Sequence, residues 1–389
     1  MKIKFILFIG ILVLSCICRI KVYGGENSNN IIYDTEEDGI NDYGDLDYYD
    51  FDEIEDVLEQ MDSSMDFDET VRKFMSGDTE GSLKELGQAV INGMFKELAA
   101  QKTLIFRIIL IGIVAALFSN IAKAFLSGSI SDTGFYITYI LLLGTLSAGY
   151  GVLASMITEA IKSLLELMEA IIPVFILSIG FASGQSSAMA FYQVVVIIII
   201  FIEKILLSVI VPLIYIFMIA NLINNITGEN FLTKACELLK TAINWILKAL
   251  LSIVIGINVV QSMLSPVVDS IKTSTLGKAA SVIPGIGQVL NSVSGIILGA
   301  GSLIKNAIGM AAMVAIVSVC FVPVIKTVII SIAYKAAGAI LEPVSDKRII
   351  QAINGIYESM VLLGKTLLYA IVFFLLTVAI ICSATNFKS

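Results

Sequence analysis

Residues 194–220 read VVVIIIIFIEKILLSVIVPLIYIFMIA, and the pair Glu203 and Lys204 carries the only charges in this stretch. Such a run can only be buried in lipid, so it predicts a membrane span. The whole chain is 57% hydrophobic and 15% charged, whereas an ordinary soluble domain carries about 25% charged residues. The sequence therefore predicts an all-α, polytopic membrane helix bundle.

Further apolar runs predict six or seven crossings in total. They are Leu104 to Phe125, Phe135 to Ile157, Ile243 to Met263, Ala307 to Ile325 with a continuation to about Leu341, and Thr366 to Ala384. The first two, joined by a short Ser/Gly loop, are expected to form an antiparallel pair. Lysine and arginine do not segregate clearly among the loops, so the orientation is only weakly indicated.

Two stretches leave alternatives open. Ala188 to Ala220 is apolar over a length that, as a helix, would reach about 50 Å, so it is either one long helix or two segments broken near Glu203 or Pro212. An amphipathic helix carrying Glu159 on its polar face runs into Ile171 to Ala182. That second run is too short to cross about 30 Å of hydrocarbon, so the combined element is predicted to be tilted, interfacial or re-entrant.

The N-terminal part predicts an exported region. Residues 1–24 resemble a signal segment, with Lys2 and Lys4 before an apolar core, although an uncleaved anchor is an alternative. Residues 25–80 are acidic and are predicted to be mostly disordered and extracytoplasmic, because they lack the apolar density for a core. Residues 81–103 have apolar side chains at helical spacing and predict an amphipathic surface helix. The transmembrane helical domain then covers residues 104–385.

The composition excludes several chemistries. The chain contains no histidine, which removes histidine-based nucleophilic sites, metal ligation and proton relays. The cysteines form no C-x-x-C pair, and no nucleotide-binding glycine motif survives inspection. We therefore expect no catalytic residues, no metal and no cofactor, and we expect that the protein is not an enzyme. Nucleic-acid binding is not expected either, because the soluble part is strongly anionic.

Polar residues inside or beside the apolar runs are the candidate pore or packing residues. They are Glu203, Lys204, Lys305, Asn306 and Lys326. A charge at the membrane centre costs at least about 2.5 to 3.5 kcal/mol, so such residues usually face protein, water or the interface. Glu203 and Lys204 are adjacent and therefore point about 100° apart on a helix, so each needs its own partner or water. A polar track and interfacial anchoring both explain this set.

The stretch Gly277 to Gly309 is rich in glycine and contains Pro284. Within it, Gly295 and Gly299 form a Gly-x-x-x-Gly spacing, which lets two helices approach closely. Glycine with proline also supports broken backbone where protein or water satisfies the freed groups. The sequence therefore leaves open ordinary helix packing and a re-entrant or pore-lining segment.

The second half of the chain carries a distinctive order of motifs. These are Ser281-Val282-Ile283-Pro284-Gly285, Leu303-Ile304-Lys305-Asn306-Ala307-Ile308-Gly309, Pro323-Val324-Ile325-Lys326, Tyr334-Lys335, Glu342-Pro343 and Asp346-Lys347-Arg348. In this order they resemble the stage III sporulation protein AE family of endospore-forming bacteria. The likeness covers roughly residues 80 to 385.

The resemblance implies a multi-pass protein of the mother-cell membrane around the forespore. Its implied partners are the lipid bilayer, the other membrane proteins of the stage III sporulation A operon, their cytoplasmic ATPase and a forespore-side channel protein. The implied role is the large polytopic component of a secretion-like channel complex between mother cell and forespore, as its export gate or permease-like core. A stand-alone secondary transporter and a non-conducting membrane scaffold are the alternatives.

Overall fold

The computed structural model describes residues 46, 49–61, 63, 65–77, 129–183, 186–226, 231–280, 286–343 and 345–384, with single positions between 99 and 121. Within the long helices, side chains are described chiefly for 139–178, 196–225, 231–257, 303–343 and 345–382. The predicted signal segment (1–24) and the predicted surface helix (81–103, apart from Ala99) lie outside the described residues. Every regular element in the described part is helical, which confirms the all-α prediction.

The described elements follow one another along the chain with short connections. They are α1 (Asp52–Gln60), α2 (Phe67–Met75), α3 (Ser129–Ser183), α4 (Ser186–Ile205), a π-helical segment (Leu206–Ile210), α5 (Val211–Ile226), α6 (Thr233–Ala280), α7 (Ile286–Leu341) and α8 (Lys347–Ala384).

Five stretches of the described helices are long and apolar enough to cross a membrane. They are Tyr139–Ser178, Val196–Asn225, Thr233–Ile257, Leu303–Leu341 and Lys347–Ile380. The predicted span Leu104 to Phe125 lies largely outside the described residues. Its few described positions, among them Phe106, Leu110 and Ile121, are helical and expose their side chains.

Helix α3 differs from its prediction. The sequence suggested a span followed by a separate tilted, interfacial or re-entrant element, but the backbone is one helix from Ser129 to Ser183 that runs through Pro173. The charged face was nevertheless identified correctly, because Glu159 and Lys162 are exposed while Ile161 and Leu164 are buried. The polar face of an amphipathic stretch therefore continues an apolar helix instead of ending it.

The stretch Ala188 to Ala220 is one helical element with a local irregularity. Helices α4 and α5 are joined by the π-helical segment Leu206–Ile210, in which the Val211 N–H bonds the carbonyl of Leu206 five residues back. The irregularity comes directly before Pro212, which lacks an N–H and whose ring clashes with the carbonyl four residues earlier. The alternative of a break near Pro212 was therefore nearer than a break at Glu203, although the helix widens there without ending.

The long helices pack antiparallel along the chain. Tyr334 of α7 donates to the carbonyl of Leu146 in α3 at 2.9 Å, and Tyr139 of α3 donates to the carbonyl of Leu222 in α5 at 3.2 Å. Helix α8 is central, with 72% of its apolar window buried in the protein, whereas the corresponding value for α6 is 22%. Helix α6 therefore lies at the periphery of the bundle.

Close helix contacts occur where glycine removes a side chain. A Cβ on Gly149 of α3 would collide with the hydroxyl of Tyr334, and a Cβ on Gly309 of α7 would collide with the Cys382 thiol of α8. A Cβ on Gly364 of α8 would stand 2.8 Å from the methyl group of Thr327. The α3, α7 and α8 contacts therefore depend on small residues, as packing between helices in lipid generally does.

Helices α1 and α2 lie within the acidic stretch that the sequence predicted to be mostly disordered. Apolar residues recur at helical spacing, so that Ile54 and Leu58 of α1 and Phe67, Val71 and Phe74 of α2 are buried. The Asp66 side chain caps α2 by accepting from the Glu69 N–H at 2.8 Å. Helix α1 packs on α3 and helix α2 packs on α7. Acidic residues occupy the solvent-facing positions of both helices, which hides this apolar pattern in the overall composition.

Candidate functional site

Glu203 stands near the C-terminal end of α4, inside the candidate span Val196–Asn225. The side chain is fully buried, and neither carboxylate oxygen has a hydrogen-bond partner among the described residues. The Cys320 thiol of α7 is close enough for an electrostatic interaction with Glu203. The neighbouring Lys204 is exposed, as the predicted angle of about 100° between adjacent helical residues requires. The two charges therefore do not pair.

The π-helical segment begins within one turn of Glu203. Its longer hydrogen bonds admit one extra residue, so a position eight residues after Glu203 comes back to about the same face after about two turns. That position is Val211, which is buried and is followed by Pro212. π-Helical insertions often accompany functional sites in helices. The irregularity therefore sets how the acid-bearing turn faces the rest of the bundle.

A polar groove lies next to this irregularity, between α1, α3 and α5. Its volume is about 980 Å³, and its lining includes side chains from the charged face of α3 and from the first turns of α5. The lining residues are Gln60, Met61, Ser155, Thr158, Glu159, Lys162, Ser163, Glu166, Val211, Pro212, Tyr215 and Ile216. We call it the α1–α3–α5 groove. The helix pair α1–α2 is thus part of the wall of a polar opening in the membrane domain.

Lys305 has a structural explanation. Its side chain is fully buried in α7, and its ammonium donates to the carbonyl of Cys382 at 3.1 Å. Cys382 lies in the last turn of α8, where carbonyls have no intrahelical partner and the helix dipole is negative. Lys305 therefore caps the C-terminus of α8, which is a packing role.

The remaining polar candidates from the sequence lie on α7. Asn306 follows Lys305 directly and is partly buried, and Lys326 is also partly buried, one turn after Pro323. Both side chains take part in interactions within the bundle. They do not form a continuous track with Glu203, because Lys305 and Cys320 are separated by about 22 Å along the helix.

Gly295 and Gly299 lie in the helical backbone of α7, which is unbroken from Ile286 to Leu341. This helical backbone favours the packing alternative over a re-entrant segment for the part of the glycine-rich stretch from Ile286 onward. The surroundings of these two glycines lie outside the described residues, as does the backbone from Ser281 to Gly285.

Other buried polar side chains are mostly satisfied locally. Thr366 and Thr377 of α8 donate to carbonyls four residues earlier at 3.0 and 2.8 Å, and Asn224 of α5 accepts from the Leu232 N–H at 2.7 Å. Serine, threonine and asparagine can bond their own helix in this way. An ionised glutamate has no donor to use in this way, so Glu203 stands apart from these residues chemically.

Sequence reasoning missed several residues that build this region. Gly149 with Tyr334 and Gly309 with Cys382 become partners only when α3, α7 and α8 come together, and no local spacing links them. The groove was also missed, although the charged face of α3 was predicted. The signal that could have found its other wall is the i, i+4 pair Ile54 and Leu58 within the acidic stretch.

These features define a class of protein. Long apolar helices expose large side chains such as Val152, Phe201 and Ile332 on their outer faces, which lipid covers and water would not. The chain is therefore a helical membrane protein with at least five candidate spans in its described part.

The comparison with protein families then assigns the chain. The model of the family "Stage III sporulation protein AE" matches residues 65–385, so the chain belongs to this family and has a role in sporulation. The chain is similar to the Stage III sporulation protein AE of Bacillus subtilis (strain 168), with 24% identity over 318 residues, which cover 82% of this chain and 80% of that protein. No solved structure matches the chain. The family resemblance predicted from the motifs of the second half is confirmed.

Proposed function

We propose that the protein is the polytopic membrane component of the channel or secretion-like complex between mother cell and forespore, and that it acts as the export gate or permease-like core. In this proposal it lies in the mother-cell membrane around the forespore and works without catalysing a reaction. Its partners are the other membrane proteins of the stage III sporulation A group and their ATPase, with a forespore-side channel protein across the intermembrane space.

One observation carries the gate proposal. Glu203, a fully buried carboxyl group without a described partner, stands within one turn of a π-helical segment and close to Pro212. A scaffold gains nothing from such an arrangement, because an unsatisfied buried acid and a widened helix both lower stability. A gate needs a helix with two accessible arrangements, and irregular turns are where helices change arrangement at low cost. The adjoining α1–α3–α5 groove gives such a movement an opening to act on.

The test compares charge variants with glycine variants during sporulation. The charge set is Glu203→Gln and Lys326→Met, and the packing set is Gly295→Leu and Gly299→Leu. Spore formation and recovery of the membrane complex by affinity purification are scored together. The gate proposal expects the charge variants to assemble the complex normally while spore formation falls. Lys204→Gln is the matched control, because the exposed neighbour of Glu203 is expected to leave both readouts unchanged.

Normal spore formation in both charge variants, with loss of the complex in the glycine variants, would overturn the gate in favour of a non-conducting scaffold. The scaffold has its own supporting observation, since Lys305 caps α8 and Gly309 admits the Cys382 side chain at the same level. A stand-alone transporter predicts uptake of a labelled solute into proteoliposomes that contain this chain alone.

A further inference from the structure

Glu203 is in an environment that an ionised carboxylate does not tolerate. The side chain is fully buried, and no described residue donates a hydrogen bond to either oxygen. A carboxyl group in such a place takes up a proton instead of remaining charged. The neutral acid has one O–H donor and keeps its acceptor oxygens, and its burial costs far less than burial of the anion.

The charged groups of the surrounding helices are directed elsewhere. On α3, Glu159, Lys162, Glu166 and Glu169 lie on the exposed face. On α8, Lys365 donates to Asn244 of α6 at 2.9 Å, and Glu358 pairs with Lys240 of α6 at 2.8 Å. On α7, Lys305 donates to the Cys382 carbonyl, while Lys326 projects about 120° round the helix from Cys320. Cys320 is the titratable group that faces Glu203, and a thiol does not neutralise a carboxylate.

A route to water begins two turns away. The extra residue of the π-helical segment brings Val211 to about the same helix face as Glu203. Val211 and Pro212 line the α1–α3–α5 groove together with polar side chains such as Ser155 and Thr158. A regular α-helix would place Val211 about 100° away from this alignment per residue of offset. The π insertion therefore aligns the buried acid with the end of a polar groove.

We propose that Glu203 is a proton-binding site of the membrane domain, and that its ligand is one proton exchanged with water in the α1–α3–α5 groove. On release, the proton moves from the carboxylic acid oxygen to a water oxygen, and the electron pair of the broken O–H bond stays on the carboxylate. Uptake is the reverse transfer. The proposal goes beyond the gate and does not depend on it, because it concerns the protonation of one residue in the folded chain.

The test is chemical labelling of the full-length protein in detergent or lipid vesicles. Dicyclohexylcarbodiimide partitions into apolar regions and reacts with protonated carboxyl groups there. The acid proton passes to a carbodiimide nitrogen, the carboxylate oxygen adds to the central carbon, and the acyl group then migrates to nitrogen as a stable acylurea. Tandem mass spectrometry locates the adduct. At neutral pH we expect about tenfold or more adduct on Glu203 than on the exposed Glu159, and less adduct on Glu203 as the pH rises.

Two controls keep the outcome interpretable. Lys204→Gln is expected to label like the natural protein, and Glu203→Asp is expected to retain an adduct at the same position. A water-soluble carbodiimide with an added amine is expected to label Glu159 and Glu166 and to leave Glu203 unlabelled. Because the natural protein carries the main readout, poor folding of a variant does not decide the result. Absence of an adduct on Glu203 while the water-soluble reagent labels Glu159 would overturn the proposal, as would labelling that does not change with pH.

Discussion

The region around Lys305 and the region around Glu203 place opposite charges in the same helical bundle and treat them differently. The Lys305 ammonium has an acceptor in the last turn of α8, and close packing at Gly309 surrounds this contact. The Glu203 carboxyl group has no described partner and stands beside a widened helix turn and a groove. A buried charge with a fixed partner stabilises an arrangement, whereas one without a partner is retained for a property other than stability.

The largest effect is expected from reversing the charge at the satisfied site. Lys305→Glu would place a carboxylate against the carbonyls and the negative dipole end of α8. We expect the free energy of unfolding to fall by about 3–5 kcal/mol, because the charge is buried and uncompensated. Heating the purified protein and following helix content by circular dichroism checks this. Lys305→Met is the control and should cost only about 1–3 kcal/mol, since it removes a hydrogen bond without adding a charge. Equal stability of the two variants would contradict the capping role.

A second prediction tests the tight packing between α3 and α7. Gly149→Ala should lower the free energy of unfolding by about 1–3 kcal/mol, because its Cβ collides with the Tyr334 hydroxyl. Gly151→Ala, two residues on with open space around its Cβ, should be neutral or slightly stabilising through helix propensity. Removing the hydroxyl with Tyr334→Phe should recover part of the loss in the double variant, as contacting residues do not behave additively. Additive losses would show that the two residues do not meet.

A third and smaller effect is expected at the half-exposed ion pair between α6 and α8. Lys240 and Glu358 lie 2.8 Å apart, with side-chain exposures of 42% and 43%. Glu358→Gln should cost about 0.2–1 kcal/mol, and the difference from the natural protein should shrink as salt is added. Thermal unfolding in low and high salt measures both. A loss of several kcal/mol that persists in high salt would mean that this pair is buried in the membrane.

The smallest change in stability is expected at the most deeply buried acid. Glu203→Gln replaces a group that has no described hydrogen bond to lose, so the free energy of unfolding should change by less than about 0.5 kcal/mol. The same unfolding measurement as for Lys305 applies. A marked destabilisation would show that Glu203 has a stabilising partner, and the contrast between the two regions would then disappear.

Part of this arrangement was predictable from the sequence. Apolar runs predicted the membrane helices, and the end of α7 at Leu341 and of α8 at Ala384 agree with the predicted ends of the last two runs. Glu203 and Lys305 were both identified because a charge within an apolar run is costly wherever the run is buried. That rule cannot say which charge finds a partner, since the Cys382 carbonyl lies 77 residues from Lys305.

Other features escaped prediction for physical reasons. Whether α3 ends or continues after its apolar part depends on what covers its buried face, and that cover comes from α1, α7 and α8. The π-helical turn depends on how the backbone before Pro212 adjusts in the packed bundle. Helices α1 and α2 were missed because composition averages over a segment, whereas a few apolar residues at the correct spacing are enough to fold a short helix against a larger surface.

The capping of α8 by Lys305 also orders events during synthesis. The lysine emerges from the ribosome 77 residues before the carbonyl that receives its hydrogen bond. An ammonium group without that acceptor resists transfer into lipid, so α7 has to remain in contact with water or with the insertion machinery until α8 arrives. Helices α7 and α8 are therefore expected to enter the bilayer together as a hairpin, and a ribosome stalled before residue 382 should leave α7 accessible to water-soluble reagents.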